Sequence, residues 1–255
     1  MSSQHPEAEA SRILPSVCPL DCPDTCSLSV EVTGDQITAV QLTSREHGTF
    51  RIEAPFFLDA TELGDLLALS GTESVTGRES HAQTGEPSAP PESQPTNNHA
   101  FSWCFALEHL EGTNQVGEPP RDYDTWRDYD PNLTPPWPGK WLSWSGLNPR
   151  TMEAMQYKFA PHQEKLGLFS GNWTFRRIID RDLFEPGTYP SDLVMVNWPM
   201  IDYLEGDLIS ANAAERAQLY DGAKQLSFAM LHWLQTEAPR PDGGIGWPGL
   251  RLRPD

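Results

Sequence analysis

A mixed α/β fold is what this sequence predicts, with an N-terminal β-hairpin segment followed by short strands, helices and long loops. Three observations lead there. Apolar residues alternate on both sides of Thr33-Gly34-Asp35-Gln36, the pattern of two half-buried strands joined by a tight turn. Asn212, with Glu215 three residues on, opens a long helical stretch. Finally, 24 prolines and 9 tryptophans in 255 residues imply a loop-rich, aromatic-lined structure.

In chain order, residues 1–15 are polar and are expected as a disordered tail. The strands Ser27–Val32 and Ile37–Leu42 form the hairpin, and Thr49–Glu53 is a third strand after the turn-like Glu46-His47-Gly48. The run Pro55–Ala60 lacks alternation and suits a buried strand, leading through Thr61–Gly64 into a short apolar helix from Asp65 to Leu69. Residues 84–99, rich in Pro, Ser, Glu and Asn, form a loop or linker. Phe101–Leu107, Thr174–Ile179 and Asp192–Asn197 are further strand candidates, and little regular structure is expected over 117–150. The helix from Asn212 stops before Pro239, and a loop with no closing strand follows. This organisation divides the chain into the tail, a cysteine-bearing hairpin segment at 16–42, and the remainder at 43–255.

The formal net charge is -18. Such a chain repels phosphate backbones and anionic lipid surfaces, so neither nucleic acid nor membrane is an expected partner. No apolar run approaches the ~18 residues of a spanning helix. The first residues show neither a secretory leader nor a twin arginine, which points to the cytoplasm. In that reducing compartment clustered cysteines read as metal ligands before disulfides.

Three of the four cysteines stand together as Cys18-Pro-Leu-Asp-Cys22-Pro-Asp-Thr-Cys26. Thiolates at such short spacing can converge on one soft metal centre. Zinc with a histidine as fourth ligand is one occupant, an iron–sulfur cluster another, and an unliganded remnant the alternative to both. Cys104 lies in the apolar context Trp103-Cys104-Phe105 and is expected as a buried core thiol.

The cysteine run, with the strand, Gly-Asp turn and strand after it, resembles the N-terminal iron–sulfur segment of the molybdopterin oxidoreductases over residues 16–42. The resemblance implies that Cys18, Cys22 and Cys26 are ligands of a 4Fe-4S cluster. The family's fourth cysteine would fall within Thr43–Phe57, which holds none. The bulk of a pterin-binding enzyme is absent as well, so no molybdopterin site is expected.

From residue 35 to 255 the chain resembles the middle portion of the FAD-dependent oxidoreductases of the glutathione-reductase-like flavoprotein type. The residues that carry this are Ile52-Glu-Ala-Pro-Phe-Phe-Leu-Asp-Ala-Thr-Glu-Leu-Gly-Asp-Leu-Leu, Phe101-Ser-Trp-Cys-Phe-Ala, Asn197-Trp-Pro and Trp233 through Asp255. It implies an incomplete flavoprotein-like mixed sheet and FAD as cofactor. By the same resemblance Asp59, Ala60, Thr61, Gly64 and Asp65 are cofactor-binding. The small residues would let backbone approach a flat ligand, Gly64 would free backbone N–H groups at a helix start, and Asp65 would contact ribose or flavin. A plain βα turn is the competing reading of these five residues. No Gly-x-Gly-x-x-Gly motif stands after a strand in an opening βαβ unit, where such a flavoprotein carries it; the glycines at Gly243-Gly244-Ile245-Gly246 lie near the other end and follow a helix.

Other candidates weigh less. His232, between Leu231 and Trp233, is expected as a packed helix histidine rather than a proton donor. His47, His81, His99, His109 and His162 show no H-x-x-x-H spacing. Arg121–Asp130 reads as a solvated loop with local Arg–Asp pairs, and Asn197-Trp198-Pro199 as a possible pocket wall. Three functional readings result. One is an oxidoreductase passing electrons between a small-molecule substrate, flavin, cluster and a redox partner. Another is a non-catalytic, truncated fusion product binding at most a metal; a small cluster-only electron-transfer module is a third.

Overall fold

The computed structural model of the chain describes residues 12–17, 27–34, 36–44, 46–61, 63–162 and 171–253. They fall into two compact units, Met1–Asn98 and His99–Asp255. Each contains a four-stranded antiparallel sheet, with helices and long loops around it, so the class is mixed α/β.

In the first unit β1 (Arg12–Val17), β2 (Ser27–Thr33), β3 (Gln36–Ser44) and β4 (Gly48–Glu53) lie side by side in sequence order. The expected hairpin is present as β2 and β3. Thr33 faces Gln36, and Gly34 between them takes a φ of 64°, which a side chain would resist. Val30 and Val32 of β2 are buried, as period-2 alternation requires, and the neighbours Ala39 and Val40 of β3 are both buried beside the register shift at Glu31/Val32. The third expected strand is β4, an edge strand that exposes Phe50 and Ile52. Strand β1 begins inside the segment expected as tail. Two short helices, α1 (Asp65–Ser70) and α2 (His81–Thr84), complete the unit.

The buried strand expected at Pro55–Ala60 does not form. The stretch is irregular, and Phe56 and Leu58 are 84% and 93% exposed. Pro55 has no N–H for a ladder. Asp59 instead spends its carboxylate on the turn that follows, accepting from Thr61 N at 2.9 Å and Leu66 N at 3.0 Å.

The second unit contains β5 (Phe101–Ser102), β6 (Phe105–His109), α3 (Tyr123–Asp128), β7 (Ser145–Leu147), β8 (Ala154–Gln156), α4 (Asn172–Phe175), β9 (Arg177–Ile179), β10 (Leu193–Val196), β11 (Asp202–Tyr203), α5 (Ala213–Thr236) and β12 (Leu250–Leu252). Its main sheet runs β12-β6-β10-β9. Helix α5 starts where the sequence placed it. The Asn212 side chain accepts from the N–H of Ala214 and Glu215, and Glu215 Oε2 accepts from Asn212 N at 2.8 Å. Its buried face, Ala223, Leu226, Met230, Trp233 and Leu234, follows the 3.6-residue period. It packs into a core of Leu107, Val194, Val196, Trp173, Trp198, Met200 and Ile201. All nine tryptophans belong to this unit, and Trp144 stacks on Phe159 with ring centroids 5.3 Å apart.

Five sequence readings change here. The single strand expected at Phe101–Leu107 is split into β5 and β6, because the carbonyl of Trp103 is taken by Ser227 Oγ at 2.6 Å from α5. Cys104, at that break, is exposed rather than buried. Thr174 and Phe175 close the helical turn α4, leaving Arg177–Ile179 as strand. Trp198 belongs to the core instead of lining a pocket. The C-terminal loop ends in a strand after all. Leu250 pairs with His109 and Leu252 with Leu107, while buried Glu108 accepts from Arg251 Nε at 2.7 Å and Arg253 Nη1 at 3.1 Å.

Candidate functional site

Two places hold chemistry. In the first unit, Asp59, Ala60, Thr61, Gly64 and Asp65 lie on one turn at the start of α1. Asp59 Oδ1 accepts from both Thr61 N and Thr61 Oγ1, at 2.9 and 2.7 Å, and Oδ2 accepts from Leu66 N. Thr61 Oγ1 accepts from Asp65 N at 2.8 Å, and Gly64 O accepts from Leu67 N and Ala68 N. The backbone donors at this helix start are therefore engaged internally. Burial alone would raise the Asp59 carboxyl, but the hydrogen bonds from Thr61 and Leu66 outweigh it and hold the group below its ordinary value. Ala60 is exposed and Asp65 is buried. A Cβ on Gly64 would meet only the Leu67 side chain, the nearest atom at 3.3 Å, so no backbone approach depends on it there beyond its φ of 68°. Cys18, Cys22 and Cys26 lie outside the described residues.

In the second unit a cleft of about 430 Å³ opens at the end of β6, between His109, Glu111, Pro161, Arg240, Trp247 and Gly249. His109 ends β6, and Glu111 follows two residues on. His162 comes from the distant loop after β8, with a left-handed φ of 61°. Its ring lies 5.6 Å from that of His109, stacked at 29°. One side-chain atom of each of His109, Glu111 and His162 falls in a group within 4.8 Å of one another. His162 Nδ1 stands 3.7 Å from Asp192 Oδ2. Asp192 is fixed in turn by Trp173 Nε1 at 2.9 Å, Arg177 Nη1 at 3.2 Å and Arg181 N at 3.0 Å. Burial, then the charge of His162, pushes the His109 imidazole down to about 4. It is neutral at physiological pH and keeps a lone pair. Its Nδ1 is buried with no hydrogen-bond partner among the described residues.

A second, larger groove of about 610 Å³ runs along α5 past Arg121, Phe228, His232 and Gln235. Two of its polar side chains are already committed. Arg121 pairs with Asp122 and Asp221, and Gln235 Nε2 donates to the carbonyls of Gln115 and Leu250. His232 packs edge-on against Tyr123, with centroids 4.6 Å apart, as a helix histidine does. Arg127 pairs with Asp124 and Asp128, the local pairing expected of that acidic stretch. The first cleft thus presents the chemistry still available.

A protein-family model described as FAD dependent oxidoreductase matches residues 22–254. The chain belongs to the FAD-dependent oxidoreductase family. The match begins ahead of the hairpin and takes in Cys22 and Cys26, so it covers the turn at Gly34 where the resemblance to flavoproteins was expected to start. Nothing among curated proteins or solved structures matches the chain.

Family membership makes FAD the cofactor to test against the residues in hand. A pyrophosphate needs several free backbone donors at one turn. At Asp59–Asp65 those donors are spent on Asp59 and Thr61, and a carboxylate sits where the phosphate would go. These residues do not fit the pyrophosphate; they fit a self-capped helix start. The sequence missed the His109–Glu111–His162 cluster because its two histidines are 53 positions apart. The one local hint is the i, i+2 spacing of His109 and Glu111, which puts both on one side of an extended chain.

Proposed function

We propose that the chain serves in FAD-dependent oxidation–reduction of a small-molecule substrate, with an iron–sulfur centre at Cys18, Cys22 and Cys26 relaying electrons to a redox partner. The observation that carries this reading is the family match over residues 22–254. The short, regular spacing of Cys18, Cys22 and Cys26 in the sequence supports the cluster. The charge of -18 argues against nucleic acid as partner. Among the described residues no helix is long and apolar enough to cross a membrane.

The self-capped turn at Asp59 favours a second reading, in which the chain binds a metal at most and has no turnover. Anaerobic purification separates the two. Flavin absorbance together with iron and acid-labile sulfide supports the first. A folded, colourless protein with neither overturns it. Cys22→Ser removes the iron if the motif holds a cluster; unchanged iron content contradicts that assignment.

A further inference from the structure

We infer that His109, Glu111 and His162 form a binding site for a divalent first-row transition metal, zinc foremost, in the cleft at the end of β6. Two imidazoles and one carboxylate are an established donor set for such ions and leave coordination positions open. All three residues come from the second unit.

The distances are those of a site before closure. Ligand atoms bound at about 2.0–2.2 Å in a tetrahedron stand roughly 3.3–3.6 Å apart, against a present spread of up to 4.8 Å. Glu111, which is exposed, is the freest of the three to close on an ion. His109 sits at the end of the β6 ladder, where its backbone pairs with Leu250. His162 is fixed between the His109 ring and Trp173, with centroids 5.6 and 5.1 Å away.

Two further features point to a ligand. The buried Nδ1 of His109 has no hydrogen-bond partner among the described residues, which costs free energy unless something is bound there or the ring turns. Asp192 Oδ2, held by Trp173, Arg177 and Arg181, stands 3.7 Å from His162 Nδ1, on the side where a carboxylate orients a metal-bound imidazole, and a metal on Nε2 would replace the 3.3 Å contact of that atom with His109 O. The Arg240 cation on the cleft wall does not oppose a metal ion strongly. It pairs with Asp242 through Nε at 3.1 Å and donates to Gly246 O.

The test must keep the cysteine run from answering for this site. The full chain carrying Cys18→Ser, Cys22→Ser and Cys26→Ser is titrated with Co²⁺ and Zn²⁺ by calorimetry and visible spectroscopy. The expected result is one ion per chain, with Co²⁺ bands free of thiolate charge transfer. Glu111→Gln, at an exposed position that leaves folding intact, weakens binding by at least about tenfold. His162→Ala, checked for folding by circular dichroism, abolishes it; if that variant does not fold, Glu111→Gln decides. Absence of binding in the serine background overturns the inference, as does affinity unchanged by Glu111→Gln.

Discussion

Asp59 uses both carboxylate oxygens to hold the turn at the start of α1, and its ionisation is coupled to that turn. Its folded-state value is depressed, so its contribution is fully present above the ordinary 3.8 and is lost as pH falls through the lower folded value. In an NMR titration the Leu66 amide should therefore shift with a midpoint below 3.8, and Asp59→Asn should abolish that shift. A midpoint above 3.8 contradicts the hydrogen bonding described. Glu108 offers a second test. It is 1% exposed and answered by Arg251 and Arg253. Replacing both arginines with alanine strands a buried charge and should cost about 3 kcal/mol, whereas Glu108→Leu should cost much less. Urea unfolding followed by tryptophan fluorescence, which reads only the second unit, measures both.

At the scale of elements, the sequence was most legible where a local rule fixes a boundary. The Asn212–Glu215 capping box placed α5, and Asn212→Ala should cost about 1 kcal/mol in the same unfolding experiment. A loss near zero would mean the box does not anchor the helix. The Gly34 turn placed the β2–β3 hairpin in the same way. Legibility failed where a distant partner decided. Ser227 on α5 breaks the strand at Trp103, and Glu108 draws Arg251 and Arg253 into a strand that the short C-terminal run does not announce. Asp59 ends the apolar run Pro55–Leu58 by a side-chain bond that hydrophobic pattern does not register. The His109–Glu111–His162 cluster is the extreme case, since the β8–His162 loop supplies one member and the end of β6 the other two.

At the scale of the whole molecule, the chain combines a small first sheet with a second unit whose tryptophans form most of the buried aromatic surface. The family was legible in the sequence because it rests on long runs of residues such as those from Trp233 onward, and the match over 22–254 bears it out. The cofactor contacts were less legible, because a strand–turn–helix reads alike whether its amides meet a phosphate or an aspartate. The net charge of -18 makes retention on a nucleic-acid matrix at physiological salt an unexpected outcome. The central claim is that this chain works in oxidation–reduction. Flavin and iron content per folded chain, measured after anaerobic purification, tests it most directly. The prediction is bound flavin with iron and acid-labile sulfide, the iron lost in Cys22→Ser; a folded chain that is colourless and free of all three would contradict it.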